Sequence, residues 1–292
     1  MKYALYTGCV AKGAGKELMV STEIAARALG ISLVEMKDAS CCGAGVIHED
    51  NPMLADALNA RTFSIAEEMG LDIMTICSTC QGVMKHVQHK FAEKPSYKEK
   101  VNKELVKDTG RTYEGKVKIR QFYQIVDEEY GIDKMAEKAT KSLKGLKIAP
   151  YYGCYALRPH ETMDTKVPDK TSVLEKTITA LGAEVVEFDA SQKCCGFPIL
   201  MPNKSNSLRL AGNVLESAKK AGADFIVTPC PLCHLNLDAY QGEAESMFGL
   251  SLGVPILHYS QMVALALGAS AKDLRLANHI VKADHIAEKI PA

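Results

Sequence analysis

Ten cysteines, placed as two sets of five, constrain this chain more than any other feature. Cys9, Cys41, Cys42, Cys77 and Cys80 read C-x31-CC-x34-C-x2-C; Cys154, Cys194, Cys195, Cys230 and Cys233 read C-x39-CC-x34-C-x2-C. Two of the intervals are identical and no cysteine falls outside the pattern. Chance duplication of such a spacing is very improbable, so the chain is read as an internal repeat. The flanks agree. Lys2-Tyr3-Ala4-Leu5-Tyr6-Thr7-Gly8-Cys9 aligns with Lys147-Ile148-Ala149-Pro150-Tyr151-Tyr152-Gly153-Cys154, and Gln121-Phe122-Tyr123-Gln124 has a counterpart in Leu257-His258-Tyr259-Ser260-Gln261. A length of 292 residues suits two domains, here 1–145 and 146–292.

Each half alternates short apolar runs with helical patterns. Tyr3–Tyr6, Ile31–Met36 and Ile73–Ile76 read as strands; Leu18–Leu29 and Met53–Met69 read as helices closed by Gly30 and Gly70. The second half repeats this with Ile148–Tyr152, Thr171–Leu181, Glu184–Phe188, Ser207–Ala221 and Phe225–Thr228. The expected fold class is α/β: two repeated βα domains with parallel sheets. Ligands of such sheets bind beyond the carboxyl ends of the strands, where every cysteine group falls. The lysine-rich segment Glu93–Lys118 reads as an inserted helix and loop with a solvated face. Met135–Gly145 reads as a linker helix. Met19, Met53, Met69, Met247 and Met262 sit at helical spacings and read as core.

The composition excludes several classes. Lysine plus arginine and aspartate plus glutamate are 35 each, without the cationic surplus that phosphate binding needs, so nucleic acid is not expected as a partner. No apolar run reaches the ~18 residues of a membrane span. The opening MKYALYTGCV lacks a secretory pattern, so a cytoplasmic, reducing location is expected. There, ten thiols point to metal rather than disulfides. Structural zinc could use four of the five thiolates in each half but would leave the fifth without a role. An iron–sulfur cluster normally takes four; five, two of them adjacent, suit a cluster of unusual shape or a reactive thiolate beside iron.

The duplicated C-x(31–39)-CCG-x34-C-x2-C pattern, with its Tyr-x-Gly-Cys openings, resembles the cysteine-rich CCG domain family and, within it, the B-type subunit of heterodisulfide reductase. The resemblance spans about residues 1–270. It implies two noncubane [4Fe-4S] clusters, one on Cys9, Cys41, Cys42, Cys77 and Cys80, the other on Cys154, Cys194, Cys195, Cys230 and Cys233. It also implies disulfide/thiol or protein-bound persulfide redox chemistry; Gly8–Gly13 and Cys41–Val46 look closer to the sulfur-oxidation members. A protein whose clusters only relay electrons to a partner oxidoreductase is the alternative. No ferredoxin C-x2-C-x2-C-x3-C-P run is present, so the resemblance implies two further partners, a small ferredoxin-like subunit and a flavin-containing subunit of the same complex. His160, His234 and His258 are candidate proton donors to departing thiolates, with Arg158 and Lys193 as candidate anchors for an anionic substrate. His48, His86, His89, His279 and His285 read as surface residues.

Overall fold

A computed structural model describes residues 1–163 and 172–290. It contains two four-stranded parallel sheets of the same topology. In the first, β1 (Lys2–Tyr6), β2 (Ser32–Glu35), β3 (Ile73–Thr75) and β4 (Ile119–Gln121) lie in the order β2-β1-β3-β4. In the second, β5 (Lys147–Pro150), β6 (Glu184–Val185), β7 (Phe225–Thr228) and β8 (Ile256–His258) lie in the order β6-β5-β7-β8. The central strands β1, β3, β5 and β7 are buried almost throughout, as continuous apolar strands covered on both faces must be.

Local chemistry sets the helix ends. The helix Pro52–Met69 starts at Asn51, whose side chain accepts the Leu54 N–H (3.0 Å), and stops at Gly70 in the left-handed conformation. The corresponding helix Lys204–Lys220 starts in the same way at Asn203, which accepts the Asn206 N–H (3.2 Å). It buries Leu208, Ala211, Val214, Leu215 and Ala218 along one stripe. The helix expected from Thr171 runs Val173–Ala180; Thr171 itself lies outside the described residues.

The apolar cores cross the halves. The helix Lys16–Ala28 of the first half packs against Tyr259–Ala266 of the second, with Ser21 Oγ 2.7 Å from Ser260 Oγ. Tyr259 meets Phe122 and Tyr123 edge-on, at 5.9 and 6.2 Å. The helix of the lysine-rich insertion, Pro95–Thr109, buries Val101 and Leu105 and keeps most of its other residues outward. Two expectations are corrected. The linker is helical only over Ile132–Glu137; its remainder forms turns, and Met135 is pulled into the core. Met247 is half exposed, since the short helix Gln241–Phe248 buries only Gln241 and Ala244.

A candidate iron–sulfur site across the two halves

The cysteine groups follow the carboxyl ends of the strands. Cys9 lies just beyond β1, in a short helix that begins at Gly8; Cys154 lies beyond β5, after Gly153. Cys77 follows β3 and caps the helix Ser78–Glu93, so that Cys80 sits in its first turn. Cys230 and Cys233 stand in the same relation to β7 and the helix Pro231–Ala239. The loops with the adjacent cysteines are tied down by buried groups. Tyr6 donates its hydroxyl hydrogen to the Ser40 carbonyl (2.9 Å), and Tyr151 donates to that of Lys193 (2.7 Å). Asn59 donates to the Cys42 carbonyl (2.9 Å) and Asn236 to that of Cys195 (2.7 Å).

The ten sulfurs form one continuous chain of contacts. From the first set it runs Cys9, Cys41, Cys42, Cys80, Cys77. It crosses between the halves from Cys77 to Cys230 and continues through Cys233, Cys195, Cys194 and Cys154. The order is the same read from either end. Cys77, Cys80, Cys230 and Cys233 are buried at the middle; Cys9 and Cys41 are exposed at one end, and Cys154 and Cys194 are half-buried at the other. The Cys42 and Cys80 sulfurs are 3.4 Å apart, and Thr79 Oγ1 lies 3.4 Å from Cys230 Sγ.

This donor set fits an iron–sulfur group. Backbone N–H groups point at the sulfurs, Gly43 at Cys41 and Gly196 at Cys194, both at 3.4 Å. Hydrogen bonds from Cys42, Cys9 and the Gly43 N–H bring the Cys41 thiol down to about 2. Those from Cys154, Cys195 and the Gly196 N–H do the same for Cys194, also to about 2. The hydrogen bond that Cys42 gives to Cys41 pushes the Cys42 thiol up to about 11, and burial adds to this. Thiols this close cannot all ionise against one another; a multivalent cationic centre removes the conflict by taking them as thiolates. Gly8 and Gly153 leave room beside the sulfurs. A Cβ on Gly8 would stand 3.4 Å from Cys80 Sγ, and one on Gly153 would stand 2.8 Å from Cys233 Sγ.

The groupings tight enough for a single ion, with three donor atoms within 4.8 Å of one another, are Glu17/His234/His258 and His234/Asp238/His279 among the described residues; no cysteine trio is among them. Four thiolates on one zinc would lie roughly 3.8 Å apart, so the more spread sulfurs suit a larger group. The histidine groupings form a hydrogen-bonded chain instead. Gln261 Oε1 accepts the backbone N–H of His258 (3.0 Å), and its Nε2 donates to Leu274 O (3.1 Å) and to His279 Nε2 (3.0 Å). That leaves the His279 proton on Nδ1, donated to His234 Nε2 at 3.2 Å. The His234 and His258 rings are stacked, 4.0 Å between centroids at 19°, so their in-plane lone pairs cannot meet on one ion. His258 Nε2 lies 3.6 Å from Glu17 Oε1. Burial, then the neighbouring His258 and His279, push the His234 imidazole well below its ordinary value.

The non-cysteine candidates therefore separate into two places. Arg158 and His160 line a surface groove with Cys154, Tyr155, Pro159 and Glu161, where His160 Nε2 is 3.4 Å from the Glu161 carboxylate. Lys193 is exposed next to Cys194. His234 and His258 lie in the buried chain between the helices Lys16–Ala28, Pro231–Ala239 and Tyr259–Ala266, away from that groove. The surface reading of His279 is corrected: it is 2% exposed, because Asp238 accepts the N–H groups of Ile280 (2.8 Å) and Val281 (2.9 Å) and draws the loop inward. His86 and His285 are exposed, and His48 and His89 half-buried. Sequence reading missed Asn59, Asn236, Thr79, Glu17 and Asp238. Of the buried ties, Tyr6 and Tyr151 carried a signal, standing three residues before the first cysteine of each set.

The chain matches the family described as CCG, cysteine-rich domain, over residues 3–85 and again over 148–238. It is 34% identical to the 8-methylmenaquinol:fumarate reductase membrane anchor subunit of Wolinella succinogenes, over 97% of this chain and 98% of that one. It is 30% identical to the B-type subunit of the ferredoxin:CoB-CoM heterodisulfide reductase of Methanosarcina mazei, over 99% and 97%. A crystal structure of a hypothetical protein from Helicobacter pylori superposes with a TM-score of 0.80 at 16% identity, covering 97% of this chain. This chain spans about half (52%) of that one, and the likeness concerns the fold alone. No helix among the described residues is long and apolar enough to cross a membrane. With both matches in register with the two cysteine sets, the chain belongs to the cysteine-rich CCG domain family and carries that domain twice.

Proposed function

We propose that this chain is the iron–sulfur catalytic subunit of a heterodisulfide reductase-like complex, performing disulfide/thiol or persulfide redox chemistry at two noncubane [4Fe-4S] clusters. The observation that carries the reading is the meeting of the two five-cysteine sets, Cys77 against Cys230, at the boundary between the halves. When bound, the two clusters would each supply one electron to a disulfide lying between them. Arg158, His160 and Lys193 border the outer end of the second set, where they can hold an anionic substrate. His234 and His258, buried behind Cys233, are the proposed route for a proton to a departing thiolate; burial disfavours a stored charge on His234, so it would pass the proton on rather than keep it. In this reading the domains are 1–145 and 146–292, and a ferredoxin-like subunit together with a flavin-containing one delivers or removes electrons.

A second reading is favoured by the Wolinella succinogenes relative, whose name is that of a fumarate reductase component: the clusters only relay electrons between a partner oxidoreductase and a quinol. One experiment separates the two. Protein reduced with dithionite under anaerobic conditions is mixed with a small disulfide or with a water-soluble quinone. Catalytic release of thiols supports the first reading. Reoxidation by the quinone with no thiol released supports the second.

A further inference from the structure

The two cysteine sets are closely similar in the backbone N–H groups that face them. Gly43 N–H serves Cys41 as Gly196 N–H serves Cys194. Ala44 N–H serves Cys42 as Phe197 N–H serves Cys195. Cys80 N–H serves Cys77 at 3.4 Å, and Cys233 N–H faces Cys230 from the same helix position without closing a cap bond. One side-chain donor breaks the match. Thr79, on the first-half helix Ser78–Glu93, points its hydroxyl at Cys230 of the second set, at 3.4 Å and only 5% exposed. Its counterpart in the repeat is Leu232, which has no hydrogen to give. The same helix start is fixed on the second half by Gln121 Nε2, which donates to the Pro229 carbonyl (2.6 Å), and by Ser78, whose hydroxyl donates to Gln121 Oε1 (3.2 Å). The hydroxyl is therefore held in place from both sides.

We infer that Thr79 is a positioning residue acting across the halves: its O–H···S bond to Cys230 makes the two iron–sulfur sites inequivalent and draws electrons toward the second. A thiolate ligand can only accept from the hydroxyl. The bond strengthens as the group it serves gains negative charge on reduction, so it raises the reduction potential of the second site and leaves the first alone. Solvent works in the other direction, because Cys9 and Cys41 are more exposed than Cys154 and Cys194. The diagnostic quantity is therefore the shift on removing the hydroxyl, not the order of the two potentials.

The inference rests on the proposed function only in requiring a cluster at each set. It is tested by an anaerobic redox titration followed by electron paramagnetic resonance, with iron counted in the same sample. In Thr79→Val, one of the two reductive steps moves to more negative potential, the other stays, and iron content is unchanged. Thr79→Ser restores the wild-type value. In a Cys195→Ala background, where the second site is disrupted, Thr79→Val moves nothing. Should the buried valine impair folding, Thr79→Ala removes the same hydroxyl with a smaller side chain and gives the same shift. Full iron with neither step moved, or with both moved equally, overturns the inference and leaves the proposed function standing. Wild-type protein without iron overturns both.

Discussion

Alanine at Gly8 and at Gly153 should have different consequences, although the two glycines occupy the same place in the repeat. Both have positive φ, +72° and +68°, and a non-glycine residue there costs about 1–2 kcal/mol. On that ground alone each variant would melt a few degrees lower and otherwise behave alike. The sulfur contacts separate them. At Gly8 the new methyl would stand 3.4 Å from Cys80 Sγ, close to ordinary contact; at Gly153 it would stand 2.8 Å from Cys233 Sγ. Van der Waals contacts settle at roughly 3.5–4.0 Å, so the Gly153 variant must displace the sulfur or its own loop by about an ångström. Metal–ligand distances tolerate about 0.2 Å. Gly153→Ala should therefore lose the iron of the second site, about half the total, and Gly8→Ala should keep both complements. Iron and acid-labile sulfide on anaerobically purified variants, with melting curves, decide it. Equal iron loss in the two variants, or full iron in Gly153→Ala, would refute the argument that Gly153 is required as room for a ligating sulfur.

Other outcomes follow from the same geometry. The wild-type protein should carry about eight irons and eight sulfides per chain, four per site; stoichiometric zinc without visible absorbance would overturn the cluster reading. Cys42→Ala and Cys195→Ala should each shrink the cluster of their own half and lower disulfide reduction by orders of magnitude. The double variant should be no worse than either alone, since the two sites act as a unit; additive losses in an activity assay would contradict this. Burial, and then the nearby His258, lower His279 from 6.5 to about 4. In the folded protein it stays neutral while the unfolded chain takes up a proton below about 6.5. Stability should thus be independent of this group above pH 6.5 and fall as pH drops from there toward 4, by about 3 kcal/mol in all. Denaturant titrations at several pH values should show a shallower acid slope in His279→Gln than in wild type; an unchanged slope would show that His279 does not titrate this way.

What was legible in the sequence had short-range causes. The strands and main helices could be found because apolar periodicity and the stops at Gly30 and Gly70 act over a few residues. The cysteines could be placed because parallel strands deliver their following loops to one edge. What the sequence hid depends on contacts between distant segments. Nothing in the spacing of Lys16–Ala28 says that it packs on Tyr259–Ala266, and that packing brings Glu17 to His258. His279 lies in a mixed stretch without helical or strand periodicity and is held inward by Asp238, 41 positions earlier, which captures the two N–H groups after it. The repeat itself also misleads where its halves have diverged. Gln81, Gln121 and Gln124 form an amide chain behind the first set, with Gln121 N–H donating to Gln124 Oε1 at 3.2 Å. Behind the second, the aligned Gln261 reaches His234 through the His279 imidazole, while the aligned His258 joins only by its backbone N–H and stacks its ring on His234. Asn59 and Asn236 hold equivalent carbonyls from non-equivalent helices, Pro52–Met69 in one half and Pro231–Ala239 in the other. Duplication preserved the ligands and the amides that face them, while the buried groups around them diverged. The chemical difference between the two sites is therefore carried by residues such as Thr79 and His234, which alignment of the halves pairs with Leu232 and Gln81.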